Sequence, residues 1–169
     1  MSESGATDLT EHDHLQLTRC VALATEALAA GDEPFGSLLL DDEGVVRFED
    51  RNRVQDGDAT RHPEFEIARW AAANLSREQR AGSTVYTSGE HCPMCAAAHA
   101  WVGLGRIVYA TSTDQLQAWR DQWGLAPGPV LPLPISDIAP QVPVAGPDPL
   151  LTDRVRALHA RLHQITEEG

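Results

Sequence analysis

Hydrophobic and polar positions divide the chain into helical and strand rhythms. Leu17, Val21, Ala24 and Leu28 recur at helical spacing, and Gly31 ends the run. Thr10-Glu11-His12-Asp13 has the form of a capping box, which starts this helix after a flexible terminus over residues 1–9. Phe35 to Leu40 is a short, nearly all-apolar run suited to a central strand. Asp41-Asp42-Glu43-Gly44 turns it, and Val45 to Arg51 returns as a more polar strand. A second helix opens at His62, with Ile67, Ala68, Ala71, Ala72 and Leu75 as its buried face; the small residues allow close packing on a sheet. Thr84 to Ser88 reads as a strand, Ala96 to Trp101 as the body of a third helix, and Arg106 to Ala110 as another strand.

Strand, helix, strand at this length implies a right-handed parallel crossover. Ser112 with Gln115 caps a further helix through Trp123, closed by Gly124. Residues 126–149 hold eight of the eleven prolines and read as an extended connector, or as one containing a short strand near Val130–Leu133. Asp148-Pro149 starts a C-terminal helix, residues 150–168, with Leu151, Val155, Leu158, Leu162 and Ile165 on one face. Helices then cover both faces of a mixed sheet, and a site is expected at the carboxyl ends of its strands. The linker is long for a compact domain and points to function or movement; the last helix is expected over the active site, of its own subunit or of a partner's.

A chain of 169 residues fits one domain spanning 1–169, and it shows no internal repeat. It has no apolar run long enough to span a bilayer, and the acidic start (Glu3, Asp8, Glu11) does not resemble a secretory signal. Cys20 reads as a small core residue, so three cysteines give no disulfide framework; a reducing cytoplasm is expected. The net charge of -12 argues against a partner with a phosphate backbone, which needs a basic surface.

Candidate chemistry is concentrated in His62-Pro63-Glu64 and Cys92-Pro93-Met94-Cys95. Each carries proline where a helix begins, the position at which a missing amide hydrogen costs least. If the two helix starts converge, His62, Cys92 and Cys95 supply three zinc ligands and leave one position for water, the pattern of a catalytic rather than a closed structural site. The amides and positive dipole at a helix start favour thiolate over thiol. Zinc lowers the pKa of a bound water toward about 7. Glu64, beside the metal but not a ligand, can take the water's proton and pass it on.

These residues resemble the zinc-dependent cytidine deaminase-like superfamily, whose signature is H-x-E followed by P-C-x-x-C. Pro34-Phe35-Gly36 before a strand, Asn52 after a hairpin, and the phrase from Ser88 to Ala96 also look like it, so the likeness runs over roughly residues 10–115. Histidine as the first ligand is closer to the guanine, cytosine and tRNA-adenosine deaminases. The resemblance implies a three-layer α/β/α sandwich around a mixed sheet of about five strands. It also implies a zinc cofactor, Glu64 as the catalytic group and Asn52 in contact with the substrate ring. Phe35, Glu90 and His91 are further candidates for the substrate pocket, and a homodimer is expected. Arg51 and Arg53 flank Asn52 and read as solvated.

Three positions depart from the family pattern. His91 replaces a proline, His99 lies one turn after Cys95, and Pro63 stands where related enzymes carry alanine or glycine. In those enzymes the amide at that position donates to a carbonyl of the base; proline has no such hydrogen. Orientation must then come from Asn52, Glu90 or the tail, where His159 and His163 are available, and an s-triazine or modified base rises among the candidates. Trp101, Trp119 and Trp123 are weaker stacking candidates, and Trp70 suits an edge or interface. The expected reaction is hydrolytic deamination of a small free heterocyclic amine of the guanine, cytosine or s-triazine class, with no nucleic acid or membrane partner. A tRNA adenosine deaminase is the nearest alternative. A non-catalytic zinc module would need a fourth ligand and has no use for Glu64; a redox Cys-x-x-Cys protein would not explain His62 or Glu64.

Overall fold

A computed structural model describes residues 8–166, so residues 1–7 of the expected flexible terminus and the end of the expected C-terminal helix lie outside it. The chain runs α1 (Glu11–Ala29), β1 (Gly36–Leu40), β2 (Val46–Arg51), a 3-10 turn (Val54–Asp56), α2 (Pro63–Asn74), α3 (Arg77–Ala81) and β3 (Thr84–Gly89). It continues through α4 (Pro93–Val102), β4 (Arg106–Thr111), α5 (Thr113–Gln122), α6 (Ile135–Ile138), β5 (Val144–Ala145) and α7 (Thr152–Leu162). The five strands form one mixed sheet in the order β2-β1-β3-β4-β5. β1 is antiparallel to β2 and β3, whereas β3, β4 and β5 run parallel.

The period of two along each strand sorts the core into layers. Leu38, Leu40, Tyr86, Val108 and Ala110 face α1 and α7, packing with Leu17, Cys20, Val21, Val155 and Leu158. Leu39 and Val85 face the opposite way, onto Ile67, Ala68 and Ala71 of α2. Ile107 packs with Ala96 of α4 and Ile135 of α6. The α/β/α sandwich is therefore present, and Cys20 is a core residue as expected. A Cβ on Gly36 would lie 2.4 Å from Leu23 Cβ and 2.5 Å from the Cys20 carbonyl, so glycine lets α1 close onto the start of β1.

Thr10 and Asp13 complete the capping box of α1, and Ser112 with Gln115 does the same for α5. Asp13 also accepts from Tyr86 Oη at 2.8 Å and from Arg106 at 3.0 and 3.2 Å, tying the first turn of α1 to β3 and β4. Trp70 stacks on Phe48 of the edge strand β2 with centroids 5.2 Å apart.

Three expectations are corrected and one element is added. Ala72 is exposed rather than part of the buried face of α2. No strand forms at Val130–Leu133; the connector instead supplies the two-residue β5 at Val144–Ala145, paired with Ile107 and Val108. The prolines around 130 remove the donors a ladder needs. The last helix spans Thr152–Leu162, beginning later and ending earlier than expected, so Ile165 lies beyond it; its Val155 and Leu158 are part of the core. The short α3, with its own Ser76–Gln79 capping box, was not anticipated.

Candidate active site

Two helix starts meet at the carboxyl end of β3. His62 is the N-cap of α2 and Cys92 the N-cap of α4, each followed by proline at the first helical position. His62 Nδ1 lies 3.5 Å from Cys92 Sγ and 3.6 Å from Cys95 Sγ, and the three ligand atoms all fall within 4.8 Å of one another. A tetrahedral zinc, with Zn–N of about 2.0–2.1 Å and Zn–S of about 2.3 Å, separates nitrogen from sulfur by about 3.6 Å. The donor set fits zinc. Among the described residues no fourth histidine, cysteine or carboxylate joins the group, so one coordination position remains for water.

Local hydrogen bonds act on the two sulfurs in opposite directions. Hydrogen bonds from Cys95 and His62 outweigh burial and hold the Cys92 thiol down to about 4, a thiolate at neutral pH. The interaction with Cys92, together with burial, pushes the Cys95 thiol up, while the Phe65 amide at the start of α2 opposes this. His62 is raised to about 9 chiefly by its bond to Cys92.

Glu64 is buried at 6% exposure, one residue beyond Pro63 on α2. Its Oε1 accepts a hydrogen bond from Thr87 Oγ1 at 2.8 Å, and Thr87 in turn receives one from Ser37 Oγ at 2.8 Å. Burial pushes the Glu64 carboxyl above its usual range, with His62 opposing. A carboxyl beside the ligand set, outside it and easier to protonate than usual, is suited to moving protons.

Asn52 is 1% exposed and follows β2 directly. Its amide donates to the Phe35 carbonyl at 3.0 Å and its Oδ1 accepts from the Val54 amide at 3.1 Å. Its Nδ2 is buried with no partner in the protein, a donor that calls for one from elsewhere. Arg51 Nη1 clamps this loop by donating to the Asn52 carbonyl at 3.1 Å and to Asp32 Oδ2 at 2.7 Å. Arg53 pairs with Asp50 through Nε, and its amide donates to the Arg61 carbonyl, next to His62. Arg51, expected to be solvated, is thus committed to the loop that carries Asn52, whereas the Arg53 side chain keeps 40% of its surface exposed.

The remaining candidates separate. Phe35 is half-buried, 5.1 Å edge-on from His159 of α7, and so close to Gly89 that a Cβ there would come within 3.1 Å of its ring. Glu90 spans elsewhere: Oε1 accepts from the Thr113 amide at 3.0 Å and Oε2 from the Ile135 amide at 2.7 Å. Its carboxylate fastens the starts of α5 and α6 to the end of β3. His91 is buried, neither ring nitrogen has a protein partner, and it stands edge-on to His99 at 5.5 Å. Burial keeps His91 neutral and holds His99, which donates from Nε2 to the Gly105 carbonyl at 2.7 Å, down to about 4. Neither belongs to the metal cluster.

His159 is buried between Phe35 and Trp119, and His163 lies beside Trp123. Trp101 is 88% exposed, about 13 Å of helix away from Cys92, too far to stack on a ring bound there. Sequence reasoning missed Thr87, Ser37 and Asp32. The signal for Ser37 was a lone hydroxyl in a strand otherwise built from leucines and a glycine, whereas Thr87 shares β3 with Thr84 and Ser88 and carries no such mark.

Comparison with known proteins agrees with this geometry. The family model for the cytidine and deoxycytidylate deaminase zinc-binding region matches residues 10–111, which include both motifs. The chain is 31% identical over 122 residues to a probable cytosine deaminase of Schizosaccharomyces pombe, covering 72% of this chain and 74% of that protein. It is 35% identical over 107 residues to the guanine deaminase of Bacillus subtilis, covering 62% and 69%. It is 32% identical over 104 residues to a tRNA-specific adenosine deaminase of Haemophilus influenzae, covering 61% and 60%. Among solved structures, a guanine deaminase from Nitrosomonas europaea superposes with a TM-score of 0.67 at 21% identity, over 93% of this chain and 86% of that one, a likeness of fold. With a three-donor zinc cluster, a carboxyl beside it and a match spanning both motifs, the chain belongs to the zinc-binding cytidine and deoxycytidylate deaminase family and is a zinc-dependent deaminase.

Proposed function

We propose that this protein removes the exocyclic amine of a small free heterocycle, of the guanine, cytosine or s-triazine class, by hydrolysis with release of ammonia. The observation that carries the reading is Glu64, a buried carboxyl beside His62, Cys92 and Cys95 that is not one of their group. When held by those three residues, zinc supplies a water of lowered pKa at neutral pH. Glu64 takes a proton on its carboxylate, hands it to a ring nitrogen, and carries the next to the departing amine. The raised affinity of its buried carboxyl for protons serves the first transfer. Asn52 offers Nδ2 to an acceptor on the ring, and Phe35 gives the pocket an apolar wall.

Pro63 removes one amide from the site, so Asn52 bears more of the orientation than it would beside an alanine. In this reading residues 1–169 act as one deaminase domain. The proposal also includes a cytoplasmic homodimer, which sedimentation of the purified protein reads directly; among the described residues no helix is long and apolar enough to cross a membrane.

A second reading, deamination of adenosine in tRNA, is favoured by the similarity to tRNA-specific adenosine deaminases. The net charge of -12 weighs against it, because binding a nucleic-acid backbone rests on cationic contacts. The test is ammonia release from zinc-loaded protein given guanine, cytosine, isocytosine, 5-azacytosine, ammeline, adenine, their nucleosides and a tRNA, beside a Glu64→Ala control. Turnover of a free base or triazine with none on tRNA is expected. Turnover on tRNA alone would replace the first reading by the second.

A further inference from the structure

Ser37, Thr87 and Glu64 form a chain of hydroxyls ending on the carboxyl. Ser37 and Thr87 are 0% exposed and pair across β1 and β3. Both point to the α2 face, the side on which Leu39 and Val85 also lie. Thr87 Oγ1 has three neighbours: Ser37 Oγ, which donates to it at 2.8 Å, Glu64 Oε1 at 2.8 Å and the Gly89 carbonyl at 2.9 Å.

A hydroxyl has one hydrogen and two lone pairs. One lone pair takes the Ser37 hydrogen. The Thr87 hydrogen then goes to Glu64 Oε1 or to the Gly89 carbonyl, but not to both at once. A carboxylate oxygen is the stronger acceptor of the two, so the Thr87 hydrogen goes to Glu64 Oε1, with the Gly89 carbonyl flanking it on the other side.

We propose that Thr87 is a positioning residue for the deamination: its hydroxyl, itself held between Ser37 and Gly89, fixes Oε1 of Glu64 in one place at the start of α2. The proposal rests on the reading of Glu64 as the proton-moving group. Ser37 contributes by donating to Thr87 Oγ1 at 2.8 Å, which directs the Thr87 hydrogen away from β1 and toward Glu64. A buried carboxyl without such a partner would turn toward another donor or lose a hydrogen bond. Glu64 lies on a helix and Thr87 on a central strand, so the contact also couples the α2 start to the sheet at the site.

The test compares wild type with Thr87→Val, which keeps the shape and removes the hydroxyl, with Thr87→Ser, which restores it, and with Ser37→Ala. Each protein is loaded with zinc, its zinc content is measured, its kcat and KM are determined on the most active base of the panel, and the Thr87→Val crystal structure is solved. The expected result for Thr87→Val is a kcat lower by about ten- to a hundredfold with KM little changed, zinc at the wild-type level, and the Glu64 carboxyl turned from its wild-type position. Thr87→Ser should recover most of the rate, and Ser37→Ala should lose less than Thr87→Val. A merely structural role would lower stability or zinc content without this split between kcat and KM. Wild-type kcat in Thr87→Val, or Glu64 unmoved in its crystal structure, would overturn the proposal. If Glu64→Ala itself retained activity, the reading of Glu64 would fall, and the position of Glu64 in the Thr87→Val crystal would still decide the claim about Thr87.

Discussion

Nδ2 of Asn52 is buried without a partner, while the rest of that side chain and backbone is held by Val54, Phe35 and Arg51. In the proposed reading this donor meets an acceptor on the substrate. Asn52→Ala is expected to raise KM about tenfold, the effect of one lost hydrogen bond of about 1.5 kcal/mol, with zinc content unchanged. A KM equal to wild type would remove Asn52 from the pocket. The sequence pointed to Asn52 because it follows a hairpin and precedes the ligand motif. The sequence could not show that Asp32, twenty residues earlier, would meet Arg51 and the Gln55 amide to hold that loop, because the pairing depends on where α1 ends against β2. Glu90 illustrates the opposite case. It sits two residues from Cys92, yet its carboxylate reaches the amides of Thr113 and Ile135, since side-chain direction is set by tertiary packing and not by nearness in sequence.

Among the elements, α7 joins the core to Phe35. Its Val155 and Leu158 share a core with Leu17 and Val21 of α1 and Leu38 of β1, and its His159 meets Phe35. Deleting the chain after Leu150 would therefore open the core as well as the pocket, so a point substitution separates the two. Leu158→Ala, at a site 5% exposed, should cost about 2–5 kcal/mol in denaturant unfolding; a loss under about 0.5 kcal/mol would mean that α7 is not packed on α1. The long helices and the four main strands were legible, because periodicity and caps act locally at Thr10, Ser112, Pro63 and Pro93. β5 was not. It is two residues long and exists because the edge of β4 offers Ile107 and Val108 as partners, a reason absent from residues 144–145 themselves. The start of α7 was placed too early because Asp148-Pro149 resembles a helix start, whereas Asp148 instead binds His14 Nδ1 at 2.6 Å and receives the Leu150 amide.

At the scale of the whole molecule, several buried groups tie stability to pH in the same direction. Burial holds His99 down to about 4 and His159 to about 3, so both are neutral in the fold, while in the unfolded chain they titrate near about 6.5. Below about pH 6.5 the unfolded chain binds more protons, so the stability present above that pH is lost as pH falls toward the folded values. Asp13 extends the effect to lower pH. Burial raises its carboxyl, but hydrogen bonds from Arg106, the Thr10 amide and Tyr86 outweigh this and hold it well below the usual range. Its contribution is present above about pH 3.9 and disappears as pH falls through its depressed folded value. The melting temperature should therefore fall from pH 7 to pH 5 at constant ionic strength, and His159→Phe should flatten that fall. Parallel profiles for the two proteins would contradict the assignment of His159. The two motifs and their spacing were legible at this scale, and they led to the family and, through the resemblance, to the sandwich. Which faces the hydroxyls of Ser37 and Thr87 take depends on the register of β1 against β3, a property of the assembled sheet.

The most direct measurement is ammonia release by Glu64→Gln and wild type, both at one zinc per chain, on the best free base of the panel. A loss of at least about a hundredfold in kcat with zinc retained is expected for a group that moves the proton. A variant that keeps its zinc and turns over at the wild-type rate would contradict the account at its centre.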